Sequence, residues 1–274
     1  MKNFSVSMAV YINDDASNFK TALESVYNQT VKPSEVVLVV DGPVKKEHDN
    51  IINEINASHG NLNVIRLEKN VGHGNARRIG LENCREELVA LMDSDDISLP
   101  NRFEKQLLCF EKSQSLDVVG GNIAEFLNNT DNVIGMRKVP ESDSNIKQFL
   151  KSRCPFNQMT VMFKKKSVIN AGSYIDWYCD EDYYLWLRMF LLNAEFYNIQ
   201  DTLVMVRAGK DMYKRRGGIK YFKSEAKLQK FMLHNDIIGL ARYIYNVMIR
   251  FAVQVLIPNN IRGILFKRFA RTKE

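Results

Sequence analysis

The chain has 274 residues, 45% of them apolar and 26% charged, which suits one large domain with an appendage and excludes a disordered or fibrous protein. Its net charge of +6 hides a division: residues 205–274 carry 16 Lys/Arg against 4 Asp/Glu, and residues 1–204 carry 22 against 28. An acidic body argues against nucleic acid as the partner, and no stretch reaches the 18 uncharged apolar residues of a spanning helix.

The first strand is expected over Val6 to Tyr11, with no signal-peptide core before it. After the polar turn Asn13-Asp14-Asp15, the residues Phe19, Ala22, Leu23, Val26 and Tyr27 fall at the i, i+3, i+4, i+7, i+8 spacing of a buried helical stripe. Lys32-Pro33-Ser34 ends that helix, and Glu35 to Val40 is another buried strand, running into Asp41-Gly42-Pro43. Ile51, Ile52 and Ile55 mark a second helix, Leu62 to Leu67 a third strand, and Asn70-Val71-Gly72 the entry to a third helix. Strands alternating with helices at this spacing predict a mostly parallel α/β sheet flanked by helices.

The fourth strand, Leu88 to Met92, runs into Asp93-Ser94-Asp95-Asp96. A strand buried on both faces delivers its last residues to the sheet edge where open α/β folds bind ligands. Three carboxylates within four residues repel one another. A hard divalent cation such as Mg²⁺ or Mn²⁺ relieves that repulsion and shares its coordination with substrate phosphates. The bland alternative is a solvated acidic turn capping the next helix, and the buried strand ahead of it weighs against that reading.

Past Pro100 a helix is expected from Arg102 to Lys112, then a strand and turn at Asp117 to Asn122, and a strand at Val161 to Phe163. Lys164-Lys165-Lys166 reads as a solvated turn. Asp180-Glu181-Asp182 opens an apolar helix from Tyr183 to Leu192. The body is expected to end near residue 204, divided into halves at about 1–100 and about 101–204. A basic loop and amphipathic helices follow over 205–274.

From Ile237 to Ile257 nearly every residue is apolar except Arg242, Asn246, Arg250 and Gln254, which share one narrow stripe. Pro258 ends this helix. A shorter one follows, with Ile261, Ile264, Leu265 and Phe269 on one face and Arg262, Lys267, Arg268 and Arg271 on or beside the other. Such a pair fits an anionic membrane surface, the alternative being a helix packed on the body or on a second subunit. Cys84, Cys109, Cys154 and Cys179 lack metal-ligand spacing and read as reduced thiols of a cytoplasmic protein.

The order Val6-Ser7-Met8-Ala9-Val10-Tyr11, Val39-Val40-Asp41-Gly42, Asn70-Val71-Gly72 with Asn75-Ala76-Arg77, and Asp93-Ser94-Asp95-Asp96 resembles the family 2 glycosyltransferases of the GT-A (Rossmann-like) fold. The resemblance continues through Asp180 to Arg188 and Arg215-Arg216-Gly217-Gly218. It is similar above all to the bacterial surface-polysaccharide branch that includes amylovoran and O-antigen transferases.

The resemblance implies an inverting hexosyl transfer from a nucleotide sugar, typically a UDP-sugar, to a hydroxyl of a polysaccharide or lipid-linked oligosaccharide acceptor. The C-terminal helices are expected to hold such an enzyme peripherally on the inner, cytoplasmic face of the bacterial cell membrane. The resemblance also implies Asp95 as metal ligand for Mn²⁺ or Mg²⁺, Asp93 on the metal or ribose, and Asp96 as a ligand or a supporting group. Val10, Tyr11, Asp41, Arg77, Ser94, Arg215 and Arg216 are implied around the donor, and Asp182 as the catalytic base. Asp180 and Glu181 beside Asp182 are expected to raise its proton affinity by like-charge repulsion. The three acids can equally serve as the helix cap. The chain departs from the pattern at Asn157-Gln158, where similar transferases often carry a histidine after the asparagine. A sugar-1-phosphate nucleotidyltransferase would need a glycine-rich basic loop after the first strand, where this chain reads Tyr11-Ile12-Asn13-Asp14. A non-catalytic nucleotide-sugar-binding or nucleic-acid-binding protein would not need the acids at 93, 95 and 182.

Overall fold

A computed structural model describes residues 2–209 and 217–258. Strands β1 (Phe4–Val10), β2 (Glu35–Val40), β3 (Leu62–Arg66) and β4 (Leu88–Met92) form a parallel sheet in the order β3-β2-β1-β4. Helices α1 (Ala16–Tyr27), α2 (Lys46–His59) and α3 (His73–Asn83) make its crossovers. Every residue of β2 and β4 is buried, so uninterrupted apolar runs are what two covered faces require. Val10 pairs with Val40 and Met8 with Met92. That register brings Tyr11, Asp41 and Asp93 out at one edge.

Local chemistry fixes the connections. Asp15 caps α1 by accepting the N–H groups of Ser17 and Asn18, each at 3.0 Å. Gly42 has φ +87°, and a β-carbon there would lie 2.7 Å from the backbone nitrogen of Asn70. Only glycine lets the β2 and β3 loops approach this closely.

The second half of the sheet is mixed. β8 (Met162–Lys164) runs antiparallel between β4 and β6 (Leu116–Leu127), and β9 (Glu195–Arg207) lies parallel to β6. β7 (Asn129–Arg137) folds back on β6, while the two-residue β5 (Ile97–Ser98) pairs with β9 at Val204 and Met205. The turn expected at Gly120-Gly121-Asn122 is instead the middle of β6, because the glycines answer a packing need. A β-carbon on Gly120 would meet Asn198 Oδ1 at 2.4 Å, and one on Gly121 would meet Leu203 Cδ1 at the same distance. Lys164-Lys165-Lys166 is not a solvated turn either. Lys164 ends β8, Lys165 opens α6 (Lys165–Asn170), and the Lys165 ammonium donates to the carbonyls of Glu82 and Cys84.

Two apolar clusters cover the faces of the sheet. α1, α2 and α4 (Arg102–Lys112) pack on one. On the other lie α5 (Asp143–Leu150), α6, α7 (Glu181–Leu191) and α8 (Ile219–His234). Trp186 of α7 is fully buried against Phe156, ring centroids 5.1 Å apart. A large apolar side chain buried in this way contributes about 1.5–3 kcal/mol. The boundary expected near residue 204 falls inside β9, and Leu228 and Met232 of α8 sit in the second cluster.

Helix α9 (Leu240–Phe251), continued by a π-helical turn (Ala252–Leu256), turns Asn246, Arg250 and Gln254 of its polar stripe inward and leaves Arg242 exposed. Asn246 is 3% exposed and donates to Lys151 O and Gln229 Oε1; Arg250 pairs with Glu225 and donates to Ser152 O. The apolar side faces out, with Leu240 62% and Met248 66% exposed. No helix among the described residues is long and apolar enough to cross a membrane. The short helix expected over 261–269 lies outside the described residues.

The close contact at Gly121 makes Gly121→Ala a test of the β6–β9 packing. Leu203 is fully enclosed, so overpacking is expected to cost about 1–3 kcal/mol in urea denaturation. An unshifted midpoint would show that β9 yields freely there.

Candidate active site

Four loops meet at the edge where β1, β2 and β4 end. Asp41 leaves β2 with both carboxylate oxygens engaged: Oδ1 accepts Val71 N–H at 2.7 Å and Oδ2 accepts Asn70 Nδ2 at 2.9 Å. It thereby holds the loop that leads into α3. The Val10 carbonyl accepts the N–H of Asp41, and Tyr11 is exposed beside it. The turn after β1 adds a residue that the sequence did not single out. Asp14 accepts Tyr11 N–H and the Ser94 hydroxyl, the latter at 2.7 Å, which joins it to the acidic motif.

The acids of that motif occupy different environments. Asp93 is partly buried and Asp95 is exposed, whereas Asp96 is 2% exposed and accepts the N–H of Arg207. Burial, then the charges of Asp95 and Asp93, push the Asp96 carboxyl well above the usual range. Burial likewise raises Asp14. Arg207 also donates through Nε to the Asp95 carbonyl at 3.2 Å. The pairing of β5 with β9 brings it there, and no local sequence signal predicts that. Behind Asp93 lies Arg102, fully buried, donating to Leu91 O at 2.7 Å; burial pushes its guanidinium down to about 9.

Arg77 on α3 joins the two halves of the site. Its Nη2 donates to Asp93 Oδ1 at 2.9 Å and its Nη1 to Glu181 Oε1 at 3.1 Å, with the arginine itself buried. His73 Nδ1 lies 3.1 Å from the same Glu181 oxygen. Burial alone would raise Glu181, but the His73 hydrogen bond and the charge of Arg77 hold it below the usual carboxylate range.

Its neighbours move the other way. Asp182 is raised by burial and then by Glu181, and Asp180 by burial and then by Glu225. Asp182 Oδ1 accepts Tyr183 N–H at 2.6 Å, and its Oδ2 lies 3.8 Å from Cys154 Sγ. Asp180 stands at the N-cap of α7 without a side-chain capping bond. Gln158 donates to the Tyr174 hydroxyl at 2.8 Å, a buried structural bond that needs no titrating group.

Arg215 and Arg216 lie outside the described residues. The four cysteines are free. Among the described residues no cluster of three or more His, Cys, Asp or Glu side chains is arranged as a metal cage. The exposed Asp95 and the partly buried Asp93 offer hard oxygen donors in a region of concentrated negative charge. This donor set fits Mg²⁺ or Mn²⁺, which use one or two carboxylates with the remaining positions on water and phosphate.

The family model "Glycosyl transferase family 2" matches residues 5–176. The chain is 38% identical to the UDP-Gal:alpha-D-GlcNAc-diphosphoundecaprenol beta-1,3-galactosyltransferase of Escherichia coli, over 98% of this chain and 96% of that one. It is 37% identical to the amylovoran biosynthesis glycosyltransferase AmsE of Erwinia amylovora, over 97% and 98% of the two chains. Among solved structures it resembles the mannosyltransferase PcManGT of Pyrobaculum calidifontis in complex with GDP-Man and Mn²⁺. There the TM-score is 0.61 and the identity 14%, over 97% of this chain and 79% of that one.

Removing the cation between Asp93 and Glu181 leaves two carboxylates facing each other. Arg77→Met is expected to cost roughly 3 kcal/mol at pH 7.5, near the lower end for a broken buried pair because Asp93 is partly solvated. Because the folded-state pKa of Glu181 is depressed, its contribution is present above 4.5 and lost as pH falls through the folded value. The deficit should therefore shrink in urea titrations at acid pH. A constant deficit across that window would argue against charge as its cause.

Proposed function

The chain belongs to glycosyl transferase family 2 and has the GT-A fold, and from that premise we propose how its residues divide the work of an inverting transfer. It moves a sugar from a nucleoside-diphosphate donor to a hydroxyl of a polysaccharide or lipid-linked acceptor. The proposed donor is a UDP-sugar and the proposed acceptor a sugar on a lipid diphosphate, as the printed name of the Escherichia coli relative describes for that protein. The observation that carries the reading is the Arg77 bridge, which ties the donor-side acid Asp93 to the acid run that contains Asp182.

Asp182 is the proposed base. As the acceptor oxygen attacks the anomeric carbon, its proton passes to the Asp182 carboxylate and the bond from that carbon to the diphosphate oxygen breaks. The raised pKa of Asp182 makes it a stronger proton acceptor than an ordinary aspartate. Asp41 shapes the nucleotide end by fixing the Asn70-Val71 loop, and Tyr11 offers an exposed ring beside it. Arg77 holds Asp93 in place. Asp93 and Asp95 would hold Mn²⁺ or Mg²⁺, which when bound supplies positive charge to stabilise the departing diphosphate. Arg215 and Arg216 are proposed to grip the same phosphates.

The outward apolar face of α9 supports a peripheral seat on an anionic inner-membrane surface, near a lipid-linked acceptor. Nucleotidyl transfer and nucleic-acid binding find no such support.

Asp182→Asn keeps the size and hydrogen-bonding reach of the side chain but removes proton acceptance. Transfer should fall by roughly 10²–10⁴, while UDP affinity, titrated calorimetrically with Mn²⁺, stays within about threefold of wild type. The acid limb of the wild-type rate profile should lie above the ordinary 3.8 of aspartate and vanish in the variant. Near-normal turnover would refute the assignment, and UDP affinity unaffected by a chelator would remove the metal.

For the membrane seat, Met248→Glu is expected to cut co-sedimentation with phosphatidylglycerol vesicles severalfold without lowering the melting temperature, since Met248 is 66% exposed. Undiminished vesicle binding would count against α9 as the contact.

A further inference from the structure

A groove outside the donor site lies between residues 175–184 and α8. Its volume is about 420 Å³, and its walls include Trp177, Tyr184, Phe231, Lys227, Lys230 and His234. The aromatic side is built as one unit. Trp177 and Tyr184 lie with ring centroids 4.3 Å apart, and Phe231 meets Tyr184 edge-on at 5.0 Å. Trp177 Nε1 is buried with no hydrogen-bond partner among the described residues.

The other side is cationic. Lys220, Lys223, Lys227, Lys230 and His234 recur at alternating spacings of three and four, so they form one stripe along α8. Lys227 stands 4.1 Å from the Trp177 ring centroid and Lys220 stands 4.0 Å from that of Tyr178. Among the described residues neither Lys227 nor Lys230 has a carboxylate within ion-pair distance, since the one acid of α8, Glu225, serves Arg250.

The wall of this groove is joined through its backbone to the acid run that contains Asp182. Asp180 N–H donates to Trp177 O at 3.4 Å, and Tyr184 N–H donates to Asp180 O at 2.9 Å. On its far side, residues 175 and 176 pack against Gly74 at the start of α3.

We propose that this groove is the acceptor subsite for a sugar diphosphate, with the aromatic wall against the sugar ring and Lys227, Lys230 and His234 on the phosphates. The assignment rests on the glycosyltransferase reading above and adds the part of the acceptor recognised. An aromatic wall of rings set at angles, beside ammonium groups without a carboxylate partner, matches a ligand that joins a sugar to an anion. A neutral saccharide would leave the cations without partners. A simple anion would leave the aromatic wall unused. Asp176, at the rim, offers an acceptor for sugar hydroxyls.

The probe is the octyl ester of N-acetylglucosamine α-1-diphosphate, titrated calorimetrically into full-length protein already saturated with UDP and Mn²⁺ so that the donor site is filled. Lys230→Glu with His234→Ala should weaken probe binding at least tenfold, with UDP affinity within twofold of wild type. Lys230→Arg should restore it to within about threefold, and Trp177→Phe should retain more affinity than Trp177→Ala.

The phosphate-free octyl glycoside should bind weakly and respond little to the charge reversal. Phosphatidylglycerol vesicles without acceptor form the other arm, and their binding should change less than twofold. Absence of probe binding by wild type, unchanged affinity in the charge variant, or equal losses for the phosphate-free glycoside would overturn the assignment. So would lost vesicle binding with intact probe affinity, which gives the cations to lipid headgroups. Because the titration needs no turnover, failure of the transferase reading would register separately, as no transfer from any UDP-sugar by a protein that still binds the probe.

Discussion

One buried guanidinium organises the site. Arg77 reaches Asp93 at the end of β4 with one nitrogen and Glu181 at the start of α7 with another. The two acids belong to opposite halves of the chain, and without a cation between them the halves would meet as like charges in a poorly solvated crevice. Everything that places α3 contributes to that bridge: the Gly42 close approach, the Asp41 clamp on Asn70 and Val71, and the packing of Gly74 against residues 175 and 176. The cost of burying Arg77 is offset because both branches of its planar fork find an acid.

The same bridge sorts three consecutive acids into different roles. Glu181 takes the cation and is held below the usual range, while burial raises both neighbours, with Glu181 adding to it at Asp182 and Glu225 at Asp180. Acids of differing proton affinity within one helical turn suit a reaction that needs a permanent anion to fix a cation and a basic carboxylate to receive a proton. In the acidic motif after β4 the environments also differ: Asp96 is buried and raised, and Asp95 is exposed.

What could be read in the sequence follows from the range of each interaction. β2 and β4 were legible because a strand covered on both faces is apolar along nearly its whole length, and their ends located Asp41 and Asp93. α1 was legible from its stripe. The long β6 was not, because Gly120-Gly121 signals a turn locally, whereas Asn198 and Leu203, far along the chain, are what require glycine there. β9 and α8 were missed because their partners are equally remote. The same holds within the site. Arg207 reaches the acidic motif through a two-residue strand pairing, and Cys154 reaches Asp182 through tertiary packing, neither of which leaves a periodic trace.

The inside-out docking of α9 has a thermodynamic consequence. Its main fastenings are the Asn246 amide and the Arg250 guanidinium, with Phe251 against Phe222 as an apolar contribution. Heat capacity on unfolding tracks newly wetted apolar surface, and most of the apolar surface of α9 is wet already. Undocking this helix therefore adds little to the curvature of the stability curve, which belongs to the sheet and its two apolar clusters. Its hold on the body rests mainly on directional polar contacts, with Tyr243 packed on the second apolar cluster beside them.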